Sequence, residues 1–152
     1  MCLMKNIDMK KLILTAVAIT VISQILHTVF AVFSMGYYTD SAYAGVWSGI
    51  MMPGYGPPPA EFYYLSAIFG LIAAGIYTAA FMKLKGAIPG KGSIRKGLHF
   101  GFWIIFLLGS VPGYLSMYLL INLPAGLLLE WAVEGLVISL ISGMVITRLN
   151  GK

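Results

Sequence analysis

The sequence predicts an all-α membrane protein: a bundle of four transmembrane helices with both termini in the cytoplasm. Three observations carry that prediction. First, the 152-residue chain is 59% hydrophobic and only 10% charged, whereas a soluble domain carries roughly 25% charged residues. A solvated surface cannot be built from this composition, so the solvent for most of the chain is lipid, in line with a mean hydropathy of +0.88. Second, four apolar runs each approach or exceed the roughly 20 residues needed to cross a hydrocarbon core. Third, all ten basic residues fall on one side of a four-helix threading. The positive-inside rule assigns that side to the cytoplasm. The net charge of +5 then reflects topology and headgroup contact. No nucleic-acid motif accompanies it.

The first run, about 12–34, is longer than the roughly 7–15 residues of a cleaved signal core and is read as a retained helix. Lys5, Lys10 and Lys11 precede it. Cys2 stands alone, which excludes an intrachain disulfide, and it is read as an incidental thiol. Thr20, Gln24, His27 and Ser34 fall near one stripe of this helix.

The outer loop, 35–60, has no basic residue and one acid, Asp40. Tyr37, Tyr38, Tyr43, Trp47 and Tyr55 suit an interfacial aromatic belt. Asp40-Ser41 can start a short interfacial helix reaching Met52, and the prolines from Pro53 to Pro59 stiffen the return. Simple anchoring is favoured over a cap on the bundle. Met35, Met51 and Met52 lack a repeated spacing or a nearby Cys or His, so they are read as packing and not as copper ligands.

The second helix, about 62–82, opens beside Glu61, whose charge complements a helix N-terminus. A basic loop, 83–97, leads to the third helix, about 98–121. Gly97, Gly101, Gly109 and Gly113 share a row there that admits a neighbouring backbone. Pro112 should kink this helix and free a carbonyl. His99 lies most of a membrane thickness from His27, so the two cannot share a haem.

The fourth helix, about 123–147, is apolar but carries Glu130 and Glu134. Shifting 59–86 by 65 positions lays Pro59-Ala60 on Pro124-Ala125, Gly70-Leu71 on Gly135-Leu136, and Lys83-Leu-Lys-Gly86 on Arg148-Leu-Asn-Gly151. This suggests two similar helical hairpins. The run Lys96-Gly97-Leu98-His99-Phe100-Gly101 and a Glu-bearing last helix ending Gly143-x-x-x-x-Arg148 resemble a family of small four-helix prokaryotic integral membrane proteins. The resemblance implies a fold and a location. It implies no reaction, cofactor or ligand.

At roughly 1.5 Å per residue, Glu130 and His27 each lie about 10 Å below the outer end, and Glu134 about 16 Å. Gln24 is one turn deeper than His27. A carboxylate facing lipid is costly, so Glu130, Glu134, His27 and Gln24 should face the bundle interior and form an outward-opening ligand, ion or proton site. The two acids disfavour double ionisation and would titrate with His27 as one unit. Two acids and one imidazole also suit a small divalent metal without being diagnostic of one. Interhelical packing by the same hydrogen bonds is the competing structural role.

There is no P-loop, G-x-S-x-G, Cys pair or H-E-x-x-H, which favours a non-enzymatic role. A small transporter or proton-linked binding protein is expected first. An accessory subunit of a larger membrane complex is the alternative, and an enzyme acting on a lipid or quinone comes third. A chain this short encloses little volume, so a homo-oligomer or larger complex is expected.

Overall fold

A computed structural model describes residues 7–54 and 57–151. Cys2, Lys5, Tyr55 and Lys152 lie outside them. The fold is all-helical, with no strand among the described residues, and four helices are long and apolar enough to cross a membrane.

Helix α1 (Met9–Phe33) starts where Asp8 caps it, accepting from the backbone N–H of Lys11 at 3.1 Å. A side-chain oxygen at this position satisfies one of the donors a helix N-terminus leaves free. Ser34 ends α1 and leads directly into the short α2 (Met35–Thr39). Asp40 then caps a 3₁₀ turn, Ser41–Val46, through the N–H of Ala42. This turn stops well short of Met52, because the backbone becomes extended at Trp47.

Helix α3 (Ala60–Leu84) and helix α6 (Ala125–Asn150) both follow a proline in extended conformation, Pro59 and Pro124. Proline has no N–H to lose and its fixed φ suits the approach to a helix. The equivalence read from the sequence therefore extends to where the two helices begin. The third span runs from Ser93 to Leu120 in three windings. Helix α4 (Ser93–His99) follows a turn that Gly90 and Gly92 close with φ of 123° and 79°, a region L side chains rarely adopt. A π-helical stretch covers Phe100–Ser110, and α5 (Val111–Leu120) resumes α-helical winding. In place of a simple kink, the winding changes one residue before Pro112, where the proline's missing donor is least disruptive.

Helices α3 and α6 each pack antiparallel to α1. Gln24 meets Ser66 while Thr20 meets Gly70, and Ser34 meets Glu130 while Thr15 meets Asn150. Helix α6 is the central element: 28% of its membrane window is buried, against 6% for the third span. Outward-facing Val21, Ile25, Val29, Ile68, Ile72 and Ile76 are exposed, as lipid-facing residues would be.

The glycine row of the third span is only half used as the spacing predicts. A Cβ on Gly97 would lie 2.6 Å from Met144 Cα, and one on Gly101 2.9 Å from Leu140 Cα. Those two glycines let α4 and the π-helix touch the α6 backbone. Gly109 instead meets the Tyr77 hydroxyl, and Gly113 faces open space, since the row has turned away from α6 by then.

The interior is unevenly filled. The end of the bundle near both termini is solid: Phe81 and Phe100 pack edge to face with centroids 5.3 Å apart, beside Ala16, Ile19 and Ile146. At the loop end, Leu123, Leu127 and Leu128 pack under Tyr37, Val46, Trp47 and Trp131. Between that lid and the solid half lies a cavity.

Candidate functional site

The cavity has a volume of about 1010 Å³ and is formed within one chain. This is at the upper end of the roughly 300–1,000 Å³ typical of ligand pockets. Its walls come from α1, α3, α5, α6 and the loop; Gln24, His27 and Glu134 line it.

His27 Nδ1 and Glu134 Oε1 form a hydrogen bond across α1 and α6. Glu134 is 8% exposed, so it points into the bundle and not at lipid. Depth counting alone matches His27 with Glu130, and the structure pairs it with Glu134. The reason is side-chain direction. Every Cβ leans toward its own helix N-terminus. Helix α6 begins at the loop end, so Glu134 leans up toward the loop. Helix α1 ends there, so His27 leans down. The two backbone positions differ in depth by about a turn, and the side chains close that gap.

Glu130 is held separately. Ser34 Oγ donates to its Oε2 at 2.8 Å, and Ser34 is itself buried. Glu130 does not line the cavity, so the four residues predicted as one group divide. His27 and Glu134 form the polar floor. Gln24 lines the same cavity but donates through Nε2 to Ser66 Oγ of α3 at 3.0 Å. Glu130 braces the start of α6 against the end of α1. Among the described residues, no group of three or more His, Cys, Asp or Glu gathers to hold a metal ion.

Six aromatic residues share the remaining wall: Tyr38, Trp47, Phe62, Tyr63, Tyr114 and Trp131. Trp131 Nε1 donates to the Tyr38 hydroxyl at 3.1 Å, and the Trp47 ring lies 5.1 Å from Tyr38 and 6.4 Å from Trp131. The Tyr114 phenol sits over Gly135, next to Glu134. Burial, the largest influence, pushes the Tyr38 phenol above its ordinary value of 10.0; the Trp131 bond pulls it down, and Glu134 and Glu130 push it up.

Sequence reasoning missed Ser66 and Tyr114 and assigned Tyr38 and Trp47 to a membrane belt. Met35, Met51 and Met52 also line the cavity, so the loop caps the bundle as well as bearing interfacial aromatics. A signal for this existed in the loop's composition: aromatics, methionines and prolines with no basic residue suit a folded cover as well as a belt.

No family model, curated protein or solved structure matches this chain.

Proposed function

We propose that this chain is a small proton-linked binding or transport protein of a prokaryotic cell membrane. In this reading the loop end faces outward and both termini are cytoplasmic, as the one-sided basic residues favour. The cavity takes a small solute from the outer side, and the His27–Glu134 pair holds the proton whose gain or loss accompanies binding.

The single observation that supports this most is the direct His27–Glu134 bond at the floor of a cavity large enough for a solute. A purely structural buried bond needs no cavity beside it. Imidazole is the side chain suited to gaining and losing a proton under ordinary conditions, and the carboxylate bonded to it can share that proton. The pair stands at a position that solute can reach.

Proteoliposomes carrying an internal pH dye test the reading. A panel of small solutes is presented outside, and solute-dependent proton movement is expected with the wild type and not with Glu134→Gln. Proton movement that is the same in both, or absent with every solute, would overturn it.

A further inference from the structure

Resting on the proton-linked reading above, we infer that the ligand is a monovalent organic cation with apolar substituents, bound in exchange for one proton.

The charge balance of the cavity points to a cation. Its lining includes two carboxylates, Glu134 and Asp40, and no Lys or Arg. The titratable groups facing the His27–Glu134 pair are His27 on α1, Tyr38 and Asp40 in the loop, Tyr63 on α3, Tyr114 on α5 and Glu134 itself on α6, with Glu130 one turn away behind Ser34. At neutral pH the only group here able to carry positive charge is His27. The described Lys and Arg lie at the opposite end of the spans. An anion would meet the carboxylates of Asp40 and Glu134 with no Lys or Arg beside them, and a neutral solute would draw nothing from their charge.

The wall chemistry narrows the class further. Strongly hydrated inorganic cations need a shell of oxygen ligands, and among the described residues no group of three or more acids, histidines or cysteines gathers to supply charged ones. Six aromatic residues line the space instead. Aromatic faces attract a cation that carries few waters, a quaternary ammonium above all. Met35, Met51, Met52 and Met117 add soft, adaptable surface for alkyl groups of varied shape.

The exchange then follows from charge conservation. With one proton between them, His27 and Glu134 are either an imidazolium–carboxylate pair or a neutral imidazole–acid pair, and the net charge is zero in both. A monovalent cation entering beside them favours loss of that proton to water through the cavity. The pair becomes neutral imidazole and carboxylate, with net charge −1, which the bound cation offsets; Asp40, exposed and accepting from the Ala42 N–H, stands apart from this exchange. Cation and proton compete for one negative charge.

The test uses purified full-length protein in detergent. The probe is benzyltrimethylammonium, with N,N-dimethylbenzamide as an uncharged probe of similar size. Binding is followed by equilibrium dialysis, proton release by an indicator dye in weakly buffered solution, and the state of the cavity by tryptophan fluorescence. Saturable cation binding with release of about one proton is expected, with affinity falling up to tenfold per pH unit on acidification, the slope of one-for-one exchange. The amide should bind at least tenfold more weakly. Glu134→Gln should lose at least tenfold in cation affinity together with the proton release, and Glu134→Asp should keep both. Trp47→Leu should weaken the cation severalfold and leave the pH slope unchanged.

Equal affinity for cation and amide, or binding indifferent to Glu134→Gln, overturns the ligand class. Failure of the cation to bind also overturns it. If the tryptophan signal still responds to pH through Glu134, the proton-linked reading survives that failure; if this response is absent too, both fall. Should Glu134→Gln not fold, the preference for cation over amide and the wild-type pH slope decide alone.

Discussion

Asn150 donates to Thr15 Oγ1 at 3.0 Å, closing the α1–α6 pair at the end opposite His27 and Glu134. Both residues are buried, and Asn150 also donates to Ile146 O at 3.0 Å. The two long helices are thus bonded at both ends, and the second bond is remote from the cavity.

Breaking this bond should therefore lower stability and leave ligand binding intact. Asn150→Ala and Thr15→Ala should each destabilise the protein, with a coupling energy of about 1 kcal/mol, typical of interhelical hydrogen bonds in membranes. Reversible unfolding in detergent of both single variants and the double variant measures it. Fully additive losses would show that the bond contributes nothing.

The glycines of the third span should divide by what they face. Gly97→Leu and Gly101→Leu force side chains against the α6 backbone and should destabilise by about 1–3 kcal/mol or more. Gly113→Ala enters open space and should match or slightly exceed the wild type, because alanine is the better helix former. Thermal unfolding of the three variants side by side decides it. Equal loss at all three positions would contradict the packing described.

Ser34→Ala removes the donor to Glu130 and leaves a half-buried acid without its partner. A loss of about 1–3 kcal/mol is expected, the cost of leaving a buried polar group without its hydrogen bond. Ser34→Thr keeps a hydroxyl and should lose less. The measurement is the unfolding midpoint of each variant, and an unchanged midpoint in Ser34→Ala would remove Ser34 as a brace.

Tyr38 should ionise later than exposed tyrosines when absorbance near 295 nm is followed with rising pH. Burial favours its neutral phenol in the folded state. A group raised in this way contributes stability that is fully present below its unfolded value near 10 and is lost as pH rises through the folded value. Tyr38→Phe should lower the amplitude of the late-ionising component by one tyrosine and flatten that alkaline loss. An unchanged late amplitude in Tyr38→Phe would assign it wholly to other tyrosines.

The four spans were legible because hydropathy over about 20 residues is a strong signal. So was the common depth band of His27, Gln24, Glu130 and Glu134. Which acid meets His27 was not, because the answer depends on the opposed lean of side chains on antiparallel helices. The π-helical winding at Phe100–Ser110 has no hydropathy signature. Asn150 was hidden for another reason: the apolar run ends at Thr147, but α6 continues to Asn150, since backbone bonding carries a helix past its apolar stretch. The loop was misweighted because tyrosine and tryptophan serve an interfacial belt and a cavity wall equally well.

Helix α6 draws its side-chain hydrogen bonds to other elements from its two ends. Glu130, Trp131 and Glu134 serve one end, and Thr147 and Asn150 the other. Between Gly135 and Ile146, among the described residues, Ser139, Leu140, Gly143 and Met144 bring the α6 backbone close to the third span, and Val145 packs beside its core residues. A saturation library along α6 should therefore read as two different grammars. At the ends, tolerated residues will be sorted by what they can donate or accept. In the middle, they will be sorted by size alone.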